Sequence, residues 1–449
     1  MSEIIIAGAG HGGLVAAARL AKAGHSVRVF EKNLRDEYPL EQKDSFDANS
    51  MRFAGIDIPE HFFADNNRIS FIPLDGDVPA LTMPENTENE TLTVDRKELF
   101  EYFVSLAEDA GVIFNFGCEI SAPIILGSRV CGIKTNIGDF YGDLIIDACG
   151  VHSPVRMNLP DYFKIDKSPA EYDVLHAYRA YFPNIKDAPQ PETDYNVYLK
   201  VDGNTGLSWV VTEEEEVDIL ICRFHDADYS TVADVLYHMS EENPHMGREM
   251  THGGKFTDIP VRQPLAMLVA DGYAAIGDAA FMTYSIKGSG IAYSIQAGVM
   301  LADAVAADTD CRYTAETLWE YEKKFFKEIG FGACRIAIVK NLLPYLTAQE
   351  ISDVLKDELI TSDELASLSS NAVETIIKSK VIPFIRKKAK ALSNAPDLKD
   401  KLLDELGWQG KFTIIEPFFP NKYERDDVEK WVERYNDFFE SIRFRDTTD

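Results

Sequence analysis

The sequence has few of the features that mark secreted, metal-binding or membrane-spanning proteins. Only six of its 449 residues are cysteine, and they form neither a C-x-x-C pair nor a short metal-ligand spacing. We therefore expect reduced thiols, no disulfide framework and no structural metal. No run approaches the roughly 20 apolar residues of a spanning helix. The apolar start, MSEIIIAGAG, lacks a cationic region and a cleavage site, so we expect a cytoplasmic protein without a signal peptide.

Basic residues are also scarce relative to acidic ones. Lysine and arginine total 45 and aspartate and glutamate 74, for a formal charge of −29. This charge repels phosphate polymers at long range, so nucleic acid is not expected as a partner. Apolar residues, in contrast, make up 45% of the chain and aromatic residues 11%. A chain of this length and composition predicts a globular protein of two or three subdomains.

The N-terminal residues predict a β-α-β unit that binds a dinucleotide. A β-branched run, Glu3–Ala7, is followed by the loop GAGHGG, a helical segment and the strand-like HSVRVFEK. In such a unit Gly8 permits a tight turn, Gly10 lets a pyrophosphate approach, and Gly13 packs the helix against the strand. The helix N-terminus then holds the phosphate. Glu31, at the end of the second strand, is placed to accept both ribose hydroxyls of an adenosine.

His11 lies inside this loop and has two interpretations. It is either a catalytic residue or a variable loop position near the phosphates. We favour the second, because catalytic groups are rarely placed at the pyrophosphate end of a cofactor.

Three later segments narrow the choice of cofactor. The first is Val94–Ile120, a helix that begins with VDR, ends near Gly111 and leads into a strand. The second is GDLIIDACGVHSPVR, in which a buried strand ends at Asp147. The third, Ala274–Gly298, reads AAIGDAAFMTYSIKGSGIAYSIQAG and contains a lone aspartate between small residues.

Together and in this order, these segments resemble the flavoprotein superfamily of single-component aromatic hydroxylases, geranylgeranyl reductases and flavin-dependent halogenases. The resemblance covers residues 2 to about 305. It implies FAD as the cofactor, with Asp278 accepting a ribityl hydroxyl and Arg96 approaching the cofactor. It also implies that Gly288 and Gly290 let the backbone approach the isoalloxazine ring. The expected cofactor-binding residues are Gly8, Gly10, Gly13, Glu31, Lys32, Arg96, Gly277, Asp278, Gly288 and Gly290.

Two positions depart from the pattern of that superfamily. Its second motif usually reads Ala-Asp-Gly, whereas this chain has Ala148-Cys149-Gly150. Cys149 is either a redox thiol or a packed, inert cysteine, and we favour the inert residue because little nearby would lower its pKa. The proline normally found after the Gly-Asp turn is Ser285 here.

The segment between the second and third motifs predicts an antiparallel sheet that faces the flavin. Four runs, VLHAYRAYF, TDYNVYLKV, LSWVVTE and VDILICRF, have strand patterns. Of the reductase motif Tyr-x-Trp-x-Phe-Pro only Trp209 is kept, and the halogenase signature is incomplete, so we do not expect halogenation. No catalytic residue is assigned. The candidate proton donors are His176, Tyr178, Tyr181, Tyr195 and Tyr198.

From Leu301 onwards the pattern is helical, and the tail that begins at Trp408 predicts an aromatic loop followed by a final helix. The segment Lys378–Lys390 is basic and amphipathic in an otherwise acidic chain. It either lies on an anionic membrane surface or packs on the domain with solvated lysines, and the second interpretation is favoured.

The predicted fold is α/β, with a Rossmann-like FAD-binding domain interleaved with an antiparallel-sheet substrate domain, plus a helical C-terminal region. We assign residues 1–165 and 265–305 to the FAD-binding domain, with 45–93 partly inserted into the substrate side. Residues 166–264 form the substrate domain and 306–449 the helical region. The oligomeric state is not determined by the sequence.

The predicted function is that of an FAD-dependent oxidoreductase acting on an apolar small molecule, with reduction of C=C bonds in an isoprenoid or lipid-like substrate as the leading interpretation. The chain has no second dinucleotide fingerprint, so no separate NAD(P)H domain is expected. NAD(P)H as the electron donor must therefore bind transiently, or another donor takes its place. Two alternatives stay open. One is a single-component monooxygenase using NAD(P)H and O2, and the other is a non-catalytic binding or escort relative.

Overall fold

The computed structural model describes residues 1–449 except 38–41, 65–67, 74–77, 79, 84–89, 202–205, 226, 357–358, 360, 363–394 and 445–449. The basic segment Lys378–Lys390 lies outside the described residues. The strands in chain order are β1 (Glu3–Ala7), β2 (Ser26–Glu31), β3 (Lys43–Asp47), β4 (Ile69–Ile72), β5 (Leu81–Thr82), β6 (Thr91–Asp95), β7 (Ile113–Phe116), β8 (Ile120–Leu126), β9 (Arg129–Thr135), β10 (Gly138–Tyr141), β11 (Leu144–Asp147), β12 (Val174–Pro183), β13 (Tyr195–Leu199), β14 (Leu207–Thr212), β15 (Glu216–Arg223), β16 (His252–Pro260), β17 (Val269–Ala270) and β18 (Tyr273–Ala275). The α-helices are α1 (His11–Lys22), α2 (Asn49–Ala54), α3 (Arg96–Asp109), α4 (Pro154–Met157), α5 (Tyr229–Glu242), α6 (Ile291–Ala307), α7 (Ala315–Phe325), α8 (Phe331–Leu342), α9 (Ala348–Lys356), α10 (Pro396–Ile415) and α11 (Arg425–Ser441).

A six-stranded sheet in the order β17-β18-β11-β1-β2-β7 carries the predicted β-α-β unit. Its pairs are parallel except for β17–β18. The apolar strands β1 and β11 are buried, as expected of a parallel sheet covered on both faces. Because parallel strands end at the same edge, the loops that follow β1, β2, β11 and β18 meet there. The glycine loop, the segment after Asp147 and the Gly-Asp turn lie in the loops that follow β1, β11 and β18.

The second large sheet has seven strands in the order β16-β12-β15-β14-β13-β4-β5. It contains the four predicted strands, β12 to β15, which pair antiparallel. The pair β13–β4 is parallel, and β5 pairs antiparallel with β4, so both short strands belong to this sheet. One face is covered by α5, whose buried Val232, Val235 and Met239 pack against it. The other face is turned toward the parallel sheet.

The C-terminal helices pack against the Rossmann-like core. α7 continues through a π-helical turn, Phe326–Gly330, into α8. In α11 the Trp431 Nε1–H donates to the Ala266 carbonyl at 3.0 Å, and the Tyr435 hydroxyl donates to the Pro264 carbonyl at 2.7 Å. The final helix thereby holds the strand segment that leads to the Gly-Asp turn.

The expected aromatic loop beginning at Trp408 is wrong in part. Residues 408–415 form the end of α10, where Phe412 is fully buried and Gln409 donates to the Arg335 carbonyl at 3.0 Å. Glycine has a low helix propensity, but tertiary packing of this face outweighs it at Gly407 and Gly410.

Within the described residues, no single helix is long and apolar enough to cross a membrane. One bent pair, Ala315–Tyr345 with Ala348–Lys356, meets that criterion by length and composition at an angle of 114°. The α/β architecture with a helical C-terminal region agrees with the sequence-based prediction, whereas the exact domain boundaries stay a prediction.

Candidate cofactor and substrate site

The glycine loop packs tightly on the second motif. A Cβ on Gly8, which has φ +86°, would lie 2.5 Å from the Ala148 carbonyl oxygen, and one on Gly10 would lie 3.0 Å from the same atom. A Cβ on Gly13 would lie 2.7 Å from the Ala148 Cβ. Side chains therefore cannot be accommodated here, and the small residue Ala148 is part of the constraint. Sequence reasoning assigned these glycines to the cofactor and missed Ala148.

The loop also meets the start of α6. The Gly12 N–H donates to the Ser294 hydroxyl at 3.0 Å. A Cβ on Gly298 would lie 2.5 Å from the Gly12 carbonyl oxygen, and one on Gly277 would lie 2.8 Å from Ser294 Oγ. Because α1 and α6 cross where Gly12 and Gly298 have no side chains, the glycine loop and the Gly-Asp turn are held next to each other.

Glu31 lies at the carboxyl end of β2, as predicted. Its Oε2 accepts the Ala9 N–H at 3.0 Å, and its Oε1 accepts the Asn33 N–H at 3.0 Å and the Asn33 side-chain amide at 2.7 Å. These bonds fix the carboxylate beside the glycine loop. Oε1 already accepts two hydrogen bonds, whereas Oε2 accepts one and keeps a position for a ribose hydroxyl. The neighbouring Lys32 is exposed.

Asp278 lies in a short 3₁₀ helix, Gly277–Ala280, directly after β18. Burial raises the pKa of Asp278, and the nearby positive charge of Arg96 opposes this shift. Arg96, the first residue of α3, pairs with Asp44 at 3.3 Å between Nη1 and Oδ2. Arg96 and Asp278 thus lie within electrostatic reach of each other although they are far apart in sequence.

His11 is buried at the same place. Burial, and then the charge of Arg96, lower the pKa of His11 to about 3. Its ring contacts the Phe103 ring edge-on, with 5.7 Å between the centroids, and its Nε2 has no hydrogen-bond partner among the described residues. A neutral, buried ring does not serve as a proton donor at neutral pH, which favours the loop-residue interpretation.

The second motif is built around a buried carboxylate. Asp147 accepts hydrogen bonds from the Ser153 hydroxyl at 2.5 Å, the Tyr273 hydroxyl at 2.9 Å and the Cys149 N–H at 3.1 Å. Burial raises the pKa of Asp147, and the Ser153 hydrogen bond opposes this shift. Burial and then Asp147 raise the pKa of the Cys149 thiol well above its ordinary value. The thiol is therefore protonated at neutral pH, in keeping with a packed rather than a redox-active cysteine.

Phe281, which follows the Gly-Asp turn, contacts the guanidinium groups of two arginines. Phe281 has φ +55°, a conformation that costs free energy for a bulky residue. The guanidinium carbons of Arg156 and Arg262 lie 4.4 Å and 4.6 Å from its ring centroid. Ser285, where the superfamily has proline, donates its hydroxyl to the Arg262 carbonyl at 3.0 Å. A side-chain hydrogen bond thus fixes the loop where proline would have restricted it.

The two later glycines adjoin the turn and the substrate sheet. A Cβ on Gly290 would lie 3.0 Å from Asp278 Oδ1, and one on Gly288, which has φ +68°, would lie 3.0 Å from Ile259 Cγ2 in β16. Gly290 therefore leaves room for the Asp278 carboxylate. Gly288 brings the loop against the seven-stranded sheet. Their approach to the flavin ring stays a prediction.

Three of the five proton-donor candidates lie on the α5 side of the seven-stranded sheet. Tyr178 and Tyr198 belong to the apolar cluster under α5. His176, two residues before Tyr178, donates from Nδ1 to Asp258 Oδ1 at 2.6 Å, and His152 Nε2 donates to Asp258 Oδ2 at 2.7 Å. Since residues two apart in a strand share a face, these side chains are directed away from the parallel sheet.

The other two candidates, Tyr181 and Tyr195, lie on the opposite face. Tyr195 contacts Trp209 edge-on at 5.6 Å between ring centroids, and the Arg179 guanidinium lies 5.5 Å from the Trp209 ring and 5.6 Å from the Tyr181 ring. Arg179 Nη1 in turn lies 3.5 Å from Asp44 Oδ1. Asp44, which the sequence did not single out, therefore bridges an arginine of the cofactor side and one of the substrate side.

These residues fit FAD. The loop supplies a cradle that a Cβ would fill, Glu31 supplies an oriented acceptor, and the Asp278 carboxylate lies within electrostatic reach of Arg96. The buried His11 Nε2 without a partner marks a polar position at the same edge. Within the described part of the chain, no group of three or more His, Cys, Asp or Glu side chains could hold a metal ion.

Comparisons with known proteins agree with this geometry. Residues 6–35 match the model of the NAD(P)-binding Rossmann-like domain. The chain is 25% identical over 415 residues to a digeranylgeranylglycerophospholipid reductase of Methanoculleus marisnigri, covering 89% of this chain and 98% of the relative. It is 22% identical over 386 residues to the reductase of that name from Haloferax volcanii, covering 80% and 89%.

Solved structures share the fold. A geranylgeranyl bacteriochlorophyll reductase-like protein of Thermoplasma acidophilum superposes with a TM-score of 0.71 at 19% identity, covering 87% of this chain and 99% of that one. The complex of P. aeruginosa PqsL with 2-aminobenzoylacetate superposes with a TM-score of 0.59 at 17% identity, covering 79% and 99%. The resemblance to geranylgeranyl reductases and flavin monooxygenases is confirmed, as are the fold class and the prediction of an FAD-dependent oxidoreductase.

Proposed function

We propose that this chain is an FAD-dependent reductase of C=C bonds in an apolar, isoprenoid or lipid-like substrate. The observation that carries the proposal is a contact between the proposed FAD-binding residues and the substrate sheet: Asp44 pairs with Arg96 and also with Arg179, which lies against the sheet face lined by Trp209, Tyr195 and Leu220. The relatives named as digeranylgeranylglycerophospholipid reductases support the choice of an isoprenoid substrate.

Reduction of a C=C bond adds two electrons and two protons, as one hydride and one proton. FAD, when bound and reduced, supplies a hydride to one carbon. The chain must hold the alkene in place, exclude water and deliver a proton to the other carbon. The electrons come from an external donor, for which we propose NAD(P)H.

Tyr195 is our proposed proton donor. Its hydroxyl makes no hydrogen bond among the described residues, whereas the Tyr181 hydroxyl accepts the Lys43 N–H at 3.2 Å and the Tyr181 ring stacks on His252 at 4.1 Å. Burial raises the pKa of Tyr195, so the phenol keeps its proton at neutral pH, and the nearby Arg179 opposes that shift. Arg179 is also paired with Asp218, whose charge raises the pKa of Tyr195, so Arg179 would offset only part of the cost of the phenolate that remains after transfer.

Single-turnover reduction tests the proposal. The purified protein is reduced anaerobically with dithionite and mixed with geranylgeraniol, and the product is analysed by mass spectrometry. We expect a gain of two mass units per reduced bond. A product that instead gains an oxygen atom, and only when O2 is admitted with NAD(P)H, would favour the monooxygenase alternative. A colourless protein that cannot be reconstituted with FAD would favour the escort alternative.

A further inference from the structure

The outer face of α10 carries apolar side chains that are turned to solvent. Leu403 is 44% exposed, and Ile414, about three turns later, is 69% exposed. The opposite face of the helix packs on the protein through Leu398, Gln409 and Phe412, which are all buried. An apolar helix face on the surface is typical of a contact with another molecule.

Two glycines lie between these apolar residues on the same face. Gly407 and Gly410 are exposed, and a Cβ on either would have nothing within 4 Å. Glycine lowers helix stability relative to alanine, yet the fold itself has room for a methyl group at both positions. The glycines are therefore not required by packing within the described part of the chain. They allow a backbone from outside to approach α10 closely.

The order of these four residues is the same when it is read from either end of the helix. Leu403, Gly407, Gly410 and Ile414 follow one another at spacings of four, three and four, which places them on one face. A two-fold interface requires a surface that is complementary to itself. In an antiparallel pair of α10 helices centred between residues 407 and 410, Leu403 would face Ile414 of the partner subunit. Gly407 would face Gly410 of the partner subunit.

The charges along one edge of this face fit the same arrangement. Asp404 and Lys411 are exposed on that edge, and among the described residues neither has a hydrogen bond or an ion pair. They are too far apart to pair within the helix, where partners lie three or four residues apart, and Asp400 adds a like charge one turn before Asp404. In the antiparallel pair these edges adjoin, with Asp404 about 3 Å along the axis from Lys411 of the partner subunit. Each carboxylate thus meets an ammonium, twice per dimer.

We propose that α10 is the interface of a homodimer, in which two copies of this chain pack through this face in antiparallel orientation. One helix pair buries an area at the small end of specific interfaces, so the association is reversible and in the micromolar range. The formal charge of −29 repels two copies at long range. At 0.15 M salt this repulsion is screened beyond about 8 Å, whereas the contact between Asp404 and Lys411 is shorter.

Sedimentation velocity of the purified chain, at about 1–200 μM and 0.15 M salt, tests the inference. We expect a monomer–dimer equilibrium in wild type. Lys411→Glu should raise the dimer dissociation constant about 5- to 30-fold, because two attractive pairs become repulsive. The double variant Asp404→Lys/Lys411→Glu should return to within about threefold of wild type. Lys134→Glu, at an exposed position of β9, changes the net charge equally and should match wild type.

Two further variants test the close approach and the orientation. Gly410→Gln should abolish association without lowering the thermal midpoint of the monomer, because glutamine favours helix and has room there. Leu403→Cys combined with Ile414→Cys should form interchain disulfides on mild oxidation, with oxidised wild type as the background. Leu403→Cys alone should not, since its two copies would lie about 16 Å apart along the axis and a disulfide needs Cα atoms within about 7 Å.

A wild type that stays monomeric, or a dimer that neither Lys411→Glu nor Gly410→Gln weakens, would overturn the inference. So would a double charge variant that associates no better than Lys411→Glu, or equal cross-linking by Leu403→Cys alone. A monomer in which the Leu403→Cys thiol resists maleimide would show that another segment of the same chain covers this face. None of these measurements uses a substrate or turnover, so their outcome does not depend on the proposed reaction.

Discussion

The backbone N–H of Gly12 donates to the side chain of Ser294 at 3.0 Å, across 282 positions of sequence. This contact joins the first turn of α1 to the start of α6. It explains why a glycine is required at position 12, which lies outside the G-x-G-x-x-G pattern. A Cβ there would lie 2.4 Å from the Ser294 carbonyl oxygen.

Gly12→Ala should therefore force the two helices apart. We expect a loss of about 1–3 kcal/mol in the free energy of unfolding, together with weaker FAD retention, because overpacking shifts backbone as well as side chains. Urea unfolding followed by circular dichroism measures the first effect. Gly332→Ala in α8 is the control, since a methyl group there would have nothing within 4 Å and alanine favours helix. Equal stabilities for the two variants would contradict the account of the α1–α6 contact.

Tyr195→Phe should lower kcat by about 100-fold with a small change in KM, because a proton donor acts in the transition state. Tyr198→Phe is the matched control on the same strand, since its hydroxyl lies on the α5 side near Asn243 at 3.5 Å. The ratio of the two kcat values under saturating reductant is the measurement. A Tyr195→Phe enzyme with the wild-type rate and pH profile would exclude this tyrosine as the donor.

His11 should make the protein less stable in acid. Its pKa of about 3 in the folded state lies below the ordinary 6.5, so the unfolded chain binds more protons between these values. The stability contributed by burying neutral His11 is fully present above pH 6.5 and is lost as the pH falls toward 3.

His11→Gln should remove this dependence. The slope of unfolding free energy against pH below 6.5 should be shallower than in wild type by up to about 1.4 kcal/mol per pH unit, measured on cofactor-free protein. Above pH 7 the two curves should run parallel. Identical slopes below pH 6.5 would show that His11 is protonated in the folded state.

The local parts of this structure were predictable from sequence because their signals are local. The β-branched run, the glycines and Glu31 lie within about thirty residues, and helix and strand periods separate cleanly there. The position of Asp278 required the resemblance, since nothing in its neighbours indicates which strand edge it joins. The parallel order β18-β11-β1-β2 supplies that information.

Contacts between distant residues were not predictable. Alternation along β13 places Tyr195 and Tyr198 on opposite faces, but the sequence does not say which face α5 covers. Asp44 was missed because a single acidic residue in a short strand carries no pattern. Its contacts with Arg96 and Arg179 arise only when three elements meet.

The central claim is that motifs some 265 residues apart form one FAD site, and FAD content tests it most directly. Wild type and Asp278→Ala are purified, reconstituted with FAD, and titrated for bound flavin by absorbance after denaturation. Asp139→Ala, at an exposed position in β10, is the control. We predict one FAD per wild-type chain and per control chain, and at least about tenfold weaker FAD binding by Asp278→Ala. A wild type that binds no flavin, or an Asp278→Ala protein with unchanged affinity, would contradict the account.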